Sequence, residues 1–228
     1  MKVILFGASG MVGQGVLREC LLDHAVERIL SIGRSRSLEA HPKLTEIVQP
    51  DLDNYDAIAD QLVGFDACFF CLGVSSGAVD QQEYERITYG ITLAAAEILA
   101  RQNPQMTFVY VTGAGTDSSE KGRTFWARIK GKTENALLRL PFKAAYMFRP
   151  GFIEPLHGIR SRTKSYRLLY AVMRPLLPLF RLFLGNYMLT TEQIGRAMIK
   201  VARDGAPKPI LEIQDIRALA LQHSKILQ

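Results

Sequence analysis

Cysteine is scarce in this sequence, with Cys20, Cys68 and Cys71 as the only three in 228 residues. A small, odd number makes no disulfide framework, so a stapled secreted miniprotein is excluded and a reducing cytoplasmic compartment is expected. Long apolar runs are missing too. The opening Met1-Lys2-Val3-Ile4-Leu5-Phe6-Gly7 is too short for a signal peptide, and the apolar stretch 166–187 is broken by Arg174, Pro175, Pro178 and Arg181. No run of about 18 apolar residues is left to span a bilayer. Histidine is sparse, and His24, His41, His157 and His223 are too scattered for a zinc pattern. Cys68-Phe69-Phe70-Cys71 fits C-x-x-C, yet it sits in an apolar run that reads as a buried strand, where residues three apart face opposite ways. No metal is expected.

Acidic residues are absent between Pro155 and Thr191, whereas that stretch holds Arg160, Arg162, Lys164, Arg167, Arg174 and Arg181. The rest of the chain balances at 22 basic against 22 acidic residues, so the net charge of +6 belongs to one segment. A nucleic-acid binder needs a Lys/Arg face with a reading helix, and this pattern offers none. No nucleic-acid partner is expected.

What the sequence has is an alternation of short β-rich runs with longer helical patterns, the signature of an α/β, doubly wound parallel sheet with crossover helices. The strand candidates are Lys2 to Phe6, Arg28 to Ile32, Leu44 to Val48, Asp66 to Cys71, Met106 to Thr112, Ala144 to Arg149 and Pro209 to Ile213. The clearest helix runs from Gln82 to Arg101, with Ile87, Ile91, Ala94, Ala95, Ile98 and Leu99 on one stripe. Seven strands in one 228-residue domain are predicted. Between Gly151 and Tyr187 the rhythm stops, and a strand-free, substrate-side insertion over 151–190 is expected.

The strongest local signal is a strand running into glycines spaced G-x-x-G-x-x-G and then a helix: Gly7-Ala8-Ser9-Gly10-Met11-Val12-Gly13. Gly7 permits the sharp turn, Gly10 lets backbone approach a pyrophosphate, and Gly13 lets the helix pack closely on the strand. The first helical turn then aims unpaired N–H groups at an anion. This is the expected seat of a dinucleotide. The second strand ends Gly33-Arg34-Ser35-Arg36, where an acid would accept from a ribose 2'-hydroxyl and an arginine accommodates a 2'-phosphate. With Arg34 and Ser35 there, NADP(H) is favoured over NAD. Asp51-Leu52, past the third strand, is a candidate for the adenine edge.

The glycine turn, Cys71-Leu72-Gly73 after the fourth strand, Thr112-Gly113-Ala114-Gly115 after the fifth, Lys130, and Phe148-Arg149-Pro150-Gly151 together resemble the short-chain dehydrogenase/reductase superfamily. The likeness covers nearly the whole chain and is to the atypical, small epimerase-like or Tat-interacting-protein-like branch. The resemblance implies a Rossmann sheet with strand order 3-2-1-4-5-6-7 and a nucleotide across the carboxyl ends of the strands. It also implies a Ser or Thr at the fifth strand end and Tyr-x-x-x-Lys on the next helix. Thr112 and Lys130 match two of these roles and are the candidate catalytic residues; Pro150 and Gly151 fall beside the nicotinamide. Trp126 stands in the tyrosine's place, and an indole N–H does not titrate near neutrality. Lys130, Tyr89, His157 or water would then supply the proton of a reductase acting on a small, apolar carbonyl substrate, or the chain binds NADPH as a redox sensor and turns over nothing.

Gly73-Val74-Ser75-Ser76-Gly77 also matches the nucleophile elbow of α/β-hydrolases, with Asp204 and His223 following in the required order. That reading leaves the Gly7 turn and Arg34 unexplained. The basic, apolar stretch 160–187 leaves three roles open: a lid, an oligomer contact, or a weak contact with a membrane surface.

Overall fold

The computed structural model describes residues 1–36, 39–159 and 187–224. The basic stretch read above as lid, oligomer contact or membrane contact falls in 160–186, outside the described residues.

Seven strands form one parallel sheet: β1 (Lys2–Phe6), β2 (Arg28–Gly33), β3 (Leu44–Val48), β4 (Ala67–Phe70), β5 (Thr107–Val111), β6 (Ala144–Arg149) and, later in the chain, β9 (Ile210–Glu212). Their order is β3-β2-β1-β4-β5-β6-β9. All seven predicted strands are present, with ends within two residues of those read from the sequence. The central strands β1, β4 and β5 are short apolar runs because helices cover both faces, so alternation is not required, whereas the edge strand β3 carries Thr45 and Glu46 and has no buried residue. Along β1, Val3 and Leu5 face one core and Ile4 and Phe6 the other. The first core lies under α1 (Met11–Leu22), α5 (Thr191–Asp204) and α6 (Ile213–Ser224). The second lies under the 3₁₀ turn Asp56–Leu62, α3 (Thr92–Gln102) and α4 (Phe125–Leu137). The chain leaves β1 toward β2 and β3 on one side and returns to β4 on the other, so the order reverses between β1 and β4. A crevice at the carboxyl ends follows from that switch.

Two departures from the predicted organisation bear on the site. The stretch after Gly151 is not strand-free: β7 (Phe152–Glu154) pairs in parallel with β8 (Met188–Thr190) as a separate two-stranded sheet, in the register Phe152↔Met188 to Glu154↔Thr190. Strands of three residues carry no readable period. The helix from Gln82 to Arg101 is also not one regular α-helix. It consists of α2 (Gln81–Glu85), capped by Asp80 accepting from the Glu83 amide at 2.8 Å, then a π turn over Arg86–Ile91, then α3. Within the π turn the Thr88 carbonyl accepts from Thr133 Oγ1 at 3.3 Å. The predicted apolar stripe does face the second core, through Ile91, Ala95, Ile98 and Leu99.

Candidate functional site

The glycine turn is shaped by close backbone contacts. Gly7 has φ +79°, a left-handed conformation costly for other residues, and a Cβ there would lie 2.7 Å from the Leu72 amide nitrogen. A Cβ on Gly13 would fall 2.0 Å from the Gly7 carbonyl oxygen, so α1 touches the turn directly. Gly10, the N-cap of α1, has no side-chain cap, and the first turn carries no acid. The helix ladder starts with the Gln14 amide donating to the Gly10 carbonyl at 2.8 Å. The amides of Met11, Val12 and Gly13 come before that bond, and their dipoles favour an anion.

This turn opens into a cleft of about 770 Å³. The structure brings to its wall Gly7, Ser9, Gly10, Met11 and Val12 from the turn, and Arg34 with Ser35 from the end of β2. Cys71, Leu72 and Gly73 come from the end of β4, and Thr112, Lys130, Pro150 and Gly151 from the chemistry end. Four residues predicted for this site lie elsewhere. Ala8 is buried and lines a neighbouring cavity of about 660 Å³ on the outer side of α1, which Arg36 also lines; Gly13 sits beneath the turn. Asp51 turns its carboxylate onto the Asp53 amide at 2.9 Å, and Leu52 packs in the second core beside Tyr55 and Ile58. An Asx turn and an apolar anchor account for that pair.

At the chemistry end, Lys130 Nζ donates to the Thr112 carbonyl at 2.6 Å. Burial strips water from the ammonium and lowers its pKa to about 8, against the opposing pull of Glu134. Trp126 lies on the same wall, with its ring edge 3.5 Å from where a Gly115 Cβ would stand. The Thr112 side chain is bonded within the protein. Its Oγ1 lies 2.7 Å from Glu134 Oε1 and 3.0 Å from the Phe148 carbonyl, so the hydroxyl is committed to the protein rather than to the cleft.

The other suggested proton donors are also placed elsewhere. Tyr89 lies under the Lys132 ammonium, 4.3 Å from its ring centroid, and His157 Nε2 meets Glu192 at 2.7 Å beside the outer cavity. Neither lines the cleft. Burial pushes the Cys71 thiol up, which keeps it protonated and unreactive. Sequence reasoning missed Tyr84. It is a buried residue of α2 that lines this cleft and packs 5.6 Å from Phe125, and it lies three residues before Ile87, at the start of the same apolar stripe.

The hydrolase constellation does not assemble. Ser75 lines the cleft, but β4 ends at Phe70 and α2 starts at Gln81, so no sharp strand-to-helix elbow exists. Among described residues the non-glycine positions with positive φ are Glu120 and His157, not Ser75. His223 pairs with Asp23 at 2.8 Å, where α1 ends at the amino edge of the sheet, and Asp204 is engaged by Lys200 and Arg203. No group of three metal-ligating side chains occurs among the described residues.

No protein-family model matches the chain. Over 214 residues it is 28% identical to Protein FMP52-2, mitochondrial, of Scheffersomyces stipitis, an alignment covering 92% of this chain and 89% of that one. It is 28% identical over 155 residues to Protein HTATIP2 of Rattus norvegicus, covering 67% and 62%. The chain is similar to both along two thirds or more of its own length. Its fold matches Bordetella bronchiseptica WbmF, solved in complex with NAD+, with a TM-score of 0.68 at 17% identity over 99% of this chain and 78% of that one. For this superfamily the strand order 3-2-1-4-5-6-7 was expected, and with β9 as the seventh strand the sheet has it. The helix after β5, α4, carries Trp126 four positions before Lys130. No helix among the described residues is long and apolar enough to cross a membrane.

Proposed function

We propose that this chain binds NADP(H) and acts as an oxidoreductase on a small, apolar carbonyl compound. The observation that carries the proposal is one cleft that joins an uncapped helix N-terminus at one end to a desolvated lysine at the other. The residues present fit a dinucleotide. The amides of Met11, Val12 and Gly13 suit a diphosphate, and Gly73, whose Cβ would meet nothing within 4 Å, leaves its side of the cleft open. Arg34 and Ser35 suit a 2'-phosphate, since the planar guanidinium fork matches it and its charge outweighs at close range the Glu83 carboxylate that Arg34 also feels. The solved neighbour WbmF holds NAD+, which supports the nucleotide class and leaves the 2'-phosphate preference resting on Arg34.

When bound, a nicotinamide nucleotide supplies hydride transfer. Lys130 has two further N–H donors beyond the one given to Thr112, and these would hold the nicotinamide ribose. With a pKa of about 8 the ammonium is also an acid matched to neutral pH, so it would give its proton to the substrate oxygen in place of the missing phenol. Leu72, Val74 and Ile153 give the wall its apolar character. Three free cysteines suit a reducing compartment; we place the protein in the cytoplasm, with a mitochondrial site, as in the name of its fungal relatives, as the competing assignment.

A second reading, an NADPH-binding sensor without turnover, draws on Trp126 and on the committed hydroxyl of Thr112. The two readings part in one experiment, NADPH oxidation followed by absorbance against a panel of apolar aldehydes, ketones and quinones, with Trp126→Tyr alongside. The oxidoreductase reading expects turnover by the parent chain, and at most about a tenfold gain in Trp126→Tyr, because Lys130 already serves. A silent parent with an active Trp126→Tyr would establish the sensor reading.

A further inference from the structure

Thr112 presents two atoms to two partners, its carbonyl to Lys130 at 2.6 Å and its hydroxyl to Glu134 at 2.7 Å. Glu134 follows Lys130 by one turn of α4 and is fully buried. A carboxylate so placed must be compensated. The Arg149 guanidinium does this, donating from Nε at 3.0 Å and through Nη2. Arg149 is held in turn by Glu212 at 3.2 Å and by Ser118. The ends of β5 and β6, the middle of α4 and the end of β9 are therefore tied together directly beneath the lysine. A buried ion pair adds little net stability compared with well-packed apolar residues, so packing alone does not account for one here.

We propose that Glu134 and Thr112 are positioning residues for Lys130: the clamped carboxylate fixes the Thr112 hydroxyl, which fixes the strand-end carbonyl that anchors the ammonium, and its negative charge holds the proton on that ammonium. This rests on the reading of Lys130 as the acid of the cleft. The titratable and charged groups around Lys130 are Glu134 on its own helix, Arg149 from β6 and Tyr84 from α2. Among them, Glu134 opposes the loss of the proton that desolvation favours. Tyr84 stays neutral, because burial raises its phenol. Neither Glu134 nor Arg149 lines the cleft, so their effect on the reaction would pass through Lys130.

The test is competitive labelling of Lys130 by acetic anhydride in the full chain without nucleotide, read by mass spectrometry from neutral to alkaline pH. Glu134→Gln keeps the side-chain shape and removes the charge. Lys130 in it should be labelled at least about twice as fast at neutral pH, with the midpoint of its pH profile moved down. Thr112→Val keeps the Glu134–Arg149 pair and removes the hydroxyl link, and should also speed labelling at least about twofold at neutral pH as the amine leaves its carbonyl. A purely structural role would alter thermal stability and leave these profiles where they are. Folded variants, checked by circular dichroism, with the parent's Lys130 midpoint and rate would overturn the proposal. Should Glu134→Gln fail to fold, Thr112→Val decides alone. Because no nucleotide is present, this outcome is independent of whether NADP(H) binds.

Discussion

The two ends of the cleft are built from different materials. At the glycine turn the shaping atoms are backbone: Gly7 and Gly13 bring amides and carbonyls together where no Cβ fits, Gly10 stands where one would be tight at 3.3 Å, and no titratable side chain takes part. At the Lys130 end they are side chains, a lysine, a threonine and a fully buried Glu134–Arg149 pair drawn from α4, β5 and β6. A cradle made by leaving side chains out tolerates little variation, because every substitution adds atoms to a filled space. An end made of side-chain contacts can exchange one residue for another.

The largest effect that would sharpen this contrast is Gly13→Ala. The new methyl would stand 2.0 Å from the Gly7 carbonyl, so the helix or the turn must move. We expect a loss of about 3 kcal/mol or more, at the upper end for overpacking, measured by chemical denaturation. A loss below about 1 kcal/mol would mean that the turn yields and that the backbone end is as adaptable as the other.

A smaller effect, opposite in sign, is expected at the side-chain end. Folded Lys130 titrates at about 8 against an ordinary lysine value of 10.5, so between those values the unfolded chain holds the extra proton and stability rises with pH. Below pH 8 the charged, desolvated ammonium is a cost that Lys130→Met removes. The variant should exceed the parent by about 1–2 kcal/mol at pH 7, a figure discounted because the lysine is partly exposed. The gap should close as pH passes 10.5. Thermal denaturation at pH 7 and above 10.5 checks this, and a pH-independent difference would show that the lysine is not desolvated.

The same contrast explains what was legible in the sequence. The central strands could be read because a parallel strand covered on both faces is a short apolar run, and the turn could be read because its glycines recur every third residue. The bond from the Thr112 hydroxyl to Glu134, 22 positions later, was not legible, because no local pattern marks that meeting. Arg149 read as a strand end because a single arginine gives no sign of a buried carboxylate partner. Tyr84 escaped because, three residues before Ile87, it reads as one more core position of the stripe, and β7 with β8 because three residues have no period at all. Asp51 and Leu52 were assigned by distance along the chain from the third strand, while the fold uses them for an Asx turn and a core contact.

The account stands most directly on a calorimetric titration of NADPH and NADH into the parent chain and into Arg34→Ala. It predicts that the parent binds NADPH at least about tenfold more tightly than NADH, the difference expected from charge-assisted hydrogen bonds to one phosphate. In Arg34→Ala that preference should disappear while NADH binding is kept. A parent chain with no affinity for either nucleotide, or an equal loss of both in Arg34→Ala, would contradict it.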